Sequence, residues 1–72
     1  MKLGEKLKLL RKQKDMTLDQ LAESSGVAKA TLSRIENGVT TGNLKTHLKI
    51  SEALGVNLGE LYKGLEDRKS VV

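Results

Sequence analysis

Apolar residues return along this chain at three- and four-residue intervals, and the runs are separated by residues suited to cap or to end a helix. Leu3, Leu7 and Leu10 share one face of a stretch otherwise rich in Lys and Glu, which predicts an amphipathic first helix from Lys2 to about Lys14. Leu9 lies off that stripe, and the pattern leaves it either against the C-terminal segment or exposed. Asp15-Met16-Thr17 makes a turn with Met16 inward. Thr17 is suited to cap a second helix that carries Asp19 in its first turn and Leu18, Leu21 and Ala22 on one face. Gly26 ends it, because glycine accepts the positive φ that a sharp reversal between two short helices requires. From Ala28 the pattern restarts, with Val27, Leu32 and Ile35 inward and Lys29, Ala30, Ser33, Arg34 and Asn37 together on the opposite face. Asn37-Gly38 closes this third helix.

The loop Val39-Thr40-Thr41-Gly42-Asn43 follows, and Asn43 is placed to cap a fourth helix with Leu44, His47, Leu48, Ser51 and Leu54 inward. Gly55 ends that helix. Val56-Asn57-Leu58 repeats the arrangement of turn, cap and fresh stripe, and Leu58, Leu61, Tyr62 and Leu65 define a short fifth helix. Residues 1–65 therefore read as one domain. Glu66 to Val72 is charged and then apolar without a packing pattern, which suits either a frayed tail or a cut linker.

Alternating runs of β-branched residues are missing, and Ala, Leu, Lys and Glu dominate, so the expected class is all-α. A chain of 72 residues permits one domain that buries only about 60% of its unfolded surface. The net charge is +4, and Lys2, Lys6, Lys8, Arg11, Lys12 and Lys14 crowd into the first fourteen residues, a field that favours a polyanion or an acidic protein. Tyr62 is the sole aromatic residue. Single-stranded nucleic acid is usually held by stacking on several aromatics, so duplex DNA is the better polyanion to expect. Cysteine is absent, which excludes disulfides and thiolate metal sites. No apolar run is long enough for a signal peptide or a membrane span, and the cytoplasm is the default expectation.

The single histidine, His47, sits on the inner face of its helix with no base–nucleophile pair, P-loop or metal cluster elsewhere. It reads as a partly buried structural residue, and no enzyme, metal or cofactor is expected.

The outward face of the third helix is where function is expected. A helix entering the major groove needs short polar and cationic side chains that reach base edges without blocking close approach, and Lys29, Ser33 and Arg34 meet that need. A solvated face of an ordinary helix would look similar. The joint spacing of Ala22, Gly26, Leu32 and Ile35, together with the ending Ile35-Glu36-Asn37-Gly38, resembles the helix-turn-helix of the phage-repressor-like (XRE) family of DNA-binding proteins. The resemblance runs from about Leu3 to Leu65.

That resemblance implies a compact five-helix, lambda-repressor-like domain with the helix-turn-helix at its second and third helices. The implied function is a sequence-specific transcriptional regulator, a repressor, that binds duplex DNA as a twofold homodimer. Lys29, Ala30, Ser33 and Arg34 would face base edges, with Arg34 the first choice for reading a guanine. Thr17, Thr31, Asn37, Thr41, Asn43 and Lys45 would face phosphates. Arg11 would pair with Glu36, tying the first helix to the third. Leu58, Tyr62 and Leu65 would serve the dimer contact or the core alone.

Three departures from the family pattern stand out. Leu18 replaces the glutamine that often follows the cap and touches a phosphate. Ala28 stands where a capping Ser or Thr is common, and the loop after the third helix is neutral and lacks proline. Leu18 and the neutral loop lend weight to another use of the same fold, a protein-interaction module such as an antitoxin or coactivator. Many such proteins continue into a ligand-sensing domain, so an effector domain or a protein partner is expected if the chain is a fragment.

Overall fold

The computed structural model describes residues 1–65, and every regular element among them is a helix. In chain order these are α1 (Leu3–Gln13), α2 (Leu18–Ser25), α3 (Lys29–Glu36), α4 (Leu44–Leu54) and α5 (Leu58–Tyr62). The 66–72 tail expected from sequence lies outside the described residues.

Side-chain oxygens fix three of the five starts. Thr17 Oγ1 accepts from the Gln20 amide at 3.1 Å while Gln20 Oε1 accepts from the Thr17 amide at 2.8 Å, a reciprocal capping box. Asn43 Oδ1 accepts from the Thr46 amide at 2.9 Å, and Asn57 Oδ1 accepts from the Glu60 amide at 2.7 Å. No side chain caps α3, whose N-cap is Ala28. Gly26 closes α2 at φ 77°, a conformation that would push a Cβ toward the backbone.

Every helix contributes to one core: Leu7 and Leu10 from α1, Leu21 from α2, Leu32 and Ile35 from α3, Ile50 and Leu54 from α4 and Leu61 from α5, with Val27 from the turn. Met16, Leu18, Ala22, Leu58 and Tyr62 are half-buried against it. α2 packs on α3 and α4, α1 packs on α3 and α5, and α4 packs on α5.

The tightest crossing is at Gly4. A Cβ there would lie 2.8 Å from the Glu36 carbonyl oxygen and closer still to that of Ile35, so the start of α1 meets the end of α3 main chain against main chain. Any side chain at position 4 would drive the two helices apart.

The sequence pattern misplaces part of α4. Leu44 and Leu48 were expected inward, yet they are 57% and 43% exposed, whereas Ile50 is buried at 1%. His47, Ile50, Ser51 and Leu54 follow the 3, 4, 7 spacing of one helical stripe, and Leu44 and Leu48 lie about 60–100° off it. Leu44, His47, Leu48 and Ser51 satisfy the same spacing, so the period alone does not choose between the two stripes, and the packing that buries Ile50 does. α5 likewise stops at Tyr62, so Leu65 follows a turn at Lys63-Gly64 rather than continuing the helix. Leu9 is 41% exposed, which resolves its alternatives in favour of solvent.

Candidate nucleic-acid interface

The helix pair α2–α3 is built to present one side of α3. Leu21 and Leu32 are fully buried, Ile35 is nearly so, and the reversal at Gly26 swings α3 across α2 with the opposite side outward. Lys29, Ala30, Ser33, Arg34 and Asn37 occupy an arc of about 140° at 100° per residue. Lys29, Ala30, Arg34 and Asn37 are exposed, and Ser33 is half-buried at the foot of the arc. Thr31 is half-buried on the flank. Thr17, Thr41, Asn43 and Lys45 are all exposed.

The tilt of α3 is set from behind by a buried charge cluster. Arg11 Nε donates to Glu36 Oε2 at 2.8 Å and its Nη2 donates to Glu36 Oε1 at 3.2 Å, while Nη1 donates to the Met16 carbonyl at 2.8 Å. Their side chains are only 11% and 6% exposed. One planar guanidinium thus ties α1, the turn before α2 and the end of α3, a geometry that an ammonium would not reproduce.

The outward side chains differ in how they are engaged. Lys29 Nζ lies 3.2 Å from Asp19 Oδ1, an exposed ion pair bridging α2 and α3. Asn37 Nδ2 donates to Ser33 Oγ at 3.4 Å. Arg34 and Lys45 have no side-chain partner among the described residues. Phosphate binding requires donors, and the capping oxygens of Thr17 and Asn43 are already in use. The hydroxyl proton of Thr17 and the amide NH2 of Asn43 are left over for an anion. Leu18, at the position where a glutamine would donate, is half-buried against the core instead.

Gln20 was not singled out in the sequence, and Asp19 only as an acidic residue of a first helical turn. Gln20 completes the capping box, and the Thr-x-x-Gln spacing was the signal for it. Asp19 reaches Lys29 across the helix pair, a contact that no local pattern announces.

His47 is 9% exposed and uses both ring nitrogens. Nε2 bonds the Thr41 carbonyl in the loop after α3, and Nδ1 lies 2.6 Å from the Tyr62 hydroxyl on α5. A carbonyl can only accept, so Nε2 carries the proton, and in the neutral ring Nδ1 accepts from Tyr62. The two rings meet edge to face with centroids 5.6 Å apart. Leu58 and Tyr62 are half-buried on α5, and half-buried Leu65 lies beyond its end. Among the described residues no group of His, Asp or Glu is arranged to hold a metal ion, and no helix is long and apolar enough to cross a membrane.

The model of the family described as Helix-turn-helix matches residues 7–61. The HTH-type transcriptional regulator SlrR of Bacillus subtilis (strain 168) is 44% identical over 61 residues, 83% of this chain and 40% of SlrR. The HTH-type transcriptional repressor RghR of the same organism is 44% identical over 62 residues, 83% of this chain and 46% of RghR. This chain therefore spans less than half the length of either regulator. Among solved structures, the N-terminal DNA-binding domain of SinR from Bacillus subtilis superposes with a TM-score of 0.80 at 35% identity, covering 90% of this chain and 96% of that one.

Proposed function

The chain belongs to the phage-repressor-like (XRE) helix-turn-helix family, whose matched relatives are DNA-binding transcriptional regulators and not enzymes, and from that premise we propose that it is a sequence-specific repressor reading duplex DNA with α3. The observation that carries the reading is the exposed arc of α3. Its Lys29, Ala30, Ser33 and Arg34 are short or cationic, and all but half-buried Ser33 are exposed. Arg34, without a side-chain partner, is free to make the bidentate contact that distinguishes a guanine in the major groove.

Thr17, Thr31, Asn37, Thr41, Asn43 and Lys45 would position that arc on the phosphates. Few of these are charged, so binding should weaken less steeply with salt than for a strongly basic relative. A twofold dimer through Leu58, Tyr62 and Leu65 would set two recognition helices about 34 Å apart, one in each successive major groove.

Selection of bound duplexes from a random library is the direct test. A palindromic consensus with half-sites one helical turn apart is the expected outcome. Retention of all sequences alike would overturn the reading, since a specific binder prefers its site by about a thousandfold or more over bulk DNA.

The exposed Leu44 and Leu48, one turn apart on α4, favour a second use of the same domain, in which a protein partner rather than DNA is held. A domain working only in that way would show no duplex preference in the same selection.

A further inference from the structure

We propose that His47 is a positioning residue for duplex binding: its imidazole clamps the loop after α3 to α5, so that the loop's phosphate-facing groups are set before DNA arrives. This rests on the duplex-binding reading above.

The middle of the loop has little else to hold it in place. Residues 38–43 are all exposed, none is proline, and Gly38 and Gly42 both take positive φ, at 78° and 76°. Its first half is tied to α3, where the Val39 and Thr40 amides donate to the Arg34 carbonyl at 2.8 and 3.4 Å. Its last residue, Asn43, is fixed as the cap of α4, and between the two ends the loop closes only on itself, with the Gly42 amide donating to Thr40 Oγ1 at 3.3 Å and Thr41 Oγ1 donating to the Gly42 carbonyl at 3.4 Å. Among the described residues, His47 is the one buried side chain that hydrogen-bonds residues 38–43.

Packing reinforces the bond. A Cβ at Gly42 would lie 3.6 Å from His47 Nε2 and 3.2 Å from Ile35 Cδ1, so the loop main chain rests directly on the ring and on the core side of α3. A leucine would fill this buried stripe without any hydrogen-bonding demand, whereas an imidazole there is tolerable only if both nitrogens find partners. Both do, and the partners lie on two different elements. The ring therefore spends its polarity on joining Thr41 to Tyr62. A loop fixed in this way loses less freedom when it meets phosphates, which raises affinity without adding a charge. It also makes the loop answerable to the position of α5.

The test compares wild type with His47→Leu, His47→Gln and Tyr62→Phe, using amide hydrogen exchange on the free protein and titration of the selected duplex. For His47→Leu, exchange at residues 40–43 should quicken tenfold or more. Duplex affinity should fall about tenfold or more while the preference among single-base variants of the site stays as in wild type, since α3 is untouched. His47→Gln keeps a donor toward Thr41 and should recover most of the affinity. Tyr62→Phe frees the ring from α5 and should give a smaller rise in loop exchange.

Should His47→Leu fail to fold, the other two variants carry the test on their own. Loop exchange as in wild type in Tyr62→Phe, or a folded His47→Gln that still loses affinity tenfold or more, would overturn the clamp. So would a folded His47→Leu that binds as tightly as wild type. If wild type prefers no duplex while His47→Leu still loosens the loop, the duplex reading fails and the clamp itself stands.

Discussion

At its far end α3 is gripped by α1 through main-chain contact at Gly4 and through the bidentate Arg11–Glu36 pair, whereas the loop that follows it is held at its two ends by main-chain bonds to α3 and the Asn43 cap on α4, and in between by one imidazole. The two regions are neighbours in sequence and share the proposed task of meeting DNA. Their difference is physical. The helix is over-determined, because core leucines, a close backbone crossing and a buried ion pair all specify the same tilt. The loop is held by few bonds in the open, so its geometry responds to single side chains. A reading helix needs fixed geometry to tell bases apart, while phosphate contacts tolerate adjustment.

The contrast breaks most sharply at the buried pair. Glu36→Ala strands the Arg11 guanidinium behind α3 and should cost roughly 3–5 kcal/mol of folding stability, read as a drop in thermal midpoint. The double variant Arg11→Met, Glu36→Leu should cost far less, since the expense lies in leaving one charge unmatched. Equal losses in the single and double variants would mean that the pair acts by attraction alone.

Arg34→Ala comes next and acts on binding rather than folding. It should cost about 1–3 kcal/mol on the selected duplex and relax preference at one base pair. Uniform weakening across all sequences would reassign Arg34 to the phosphates.

The start of α3 gives a gain instead of a loss. Ala28→Ser restores the missing N-cap and should stabilise the fold by about 1 kcal/mol in denaturant melts, with the base preference unchanged. A stabilised variant with altered preference would show that the uncapped start is part of the reading surface.

The smallest effect is expected at Asp19→Asn, which releases Lys29 from an exposed pair worth at most about 1 kcal/mol. Folding should barely change, while affinity for all duplexes rises a few-fold and its salt dependence steepens. An unchanged salt dependence would indicate that Lys29 never meets a phosphate or a base edge.

Much of this architecture could be read from the chain because its punctuation is local. Thr17, Asn43 and Asn57 cap, Gly26 and Gly55 terminate, and each acts on neighbours within a few residues, so their effects follow from spacing alone. The order and number of helices follow from those marks. What escaped was set by partners distant in sequence. Gly4 reads as one more helical residue until the end of α3 lies against it, and Ile50 takes the core place expected of Leu44 and Leu48, a choice of helix rotation that the periodicity of α4 leaves open. For the candidate site, exposure of the α3 face was legible from its period. The Asp19–Lys29 contact and the bridge from Thr41 through His47 to Tyr62 were not, since each joins separate elements.

The glycine crossing at position 4 has one more consequence. Because that approach is made by peptide atoms, it is indifferent to what α3 displays on its far side, and substitutions at positions 29, 30, 33 and 34 leave the joint as it was. On the proposed reading of duplex DNA, the domain is a chassis in which those four positions form an exchangeable cassette, onto which new operator preferences can be grafted without renegotiating the frame.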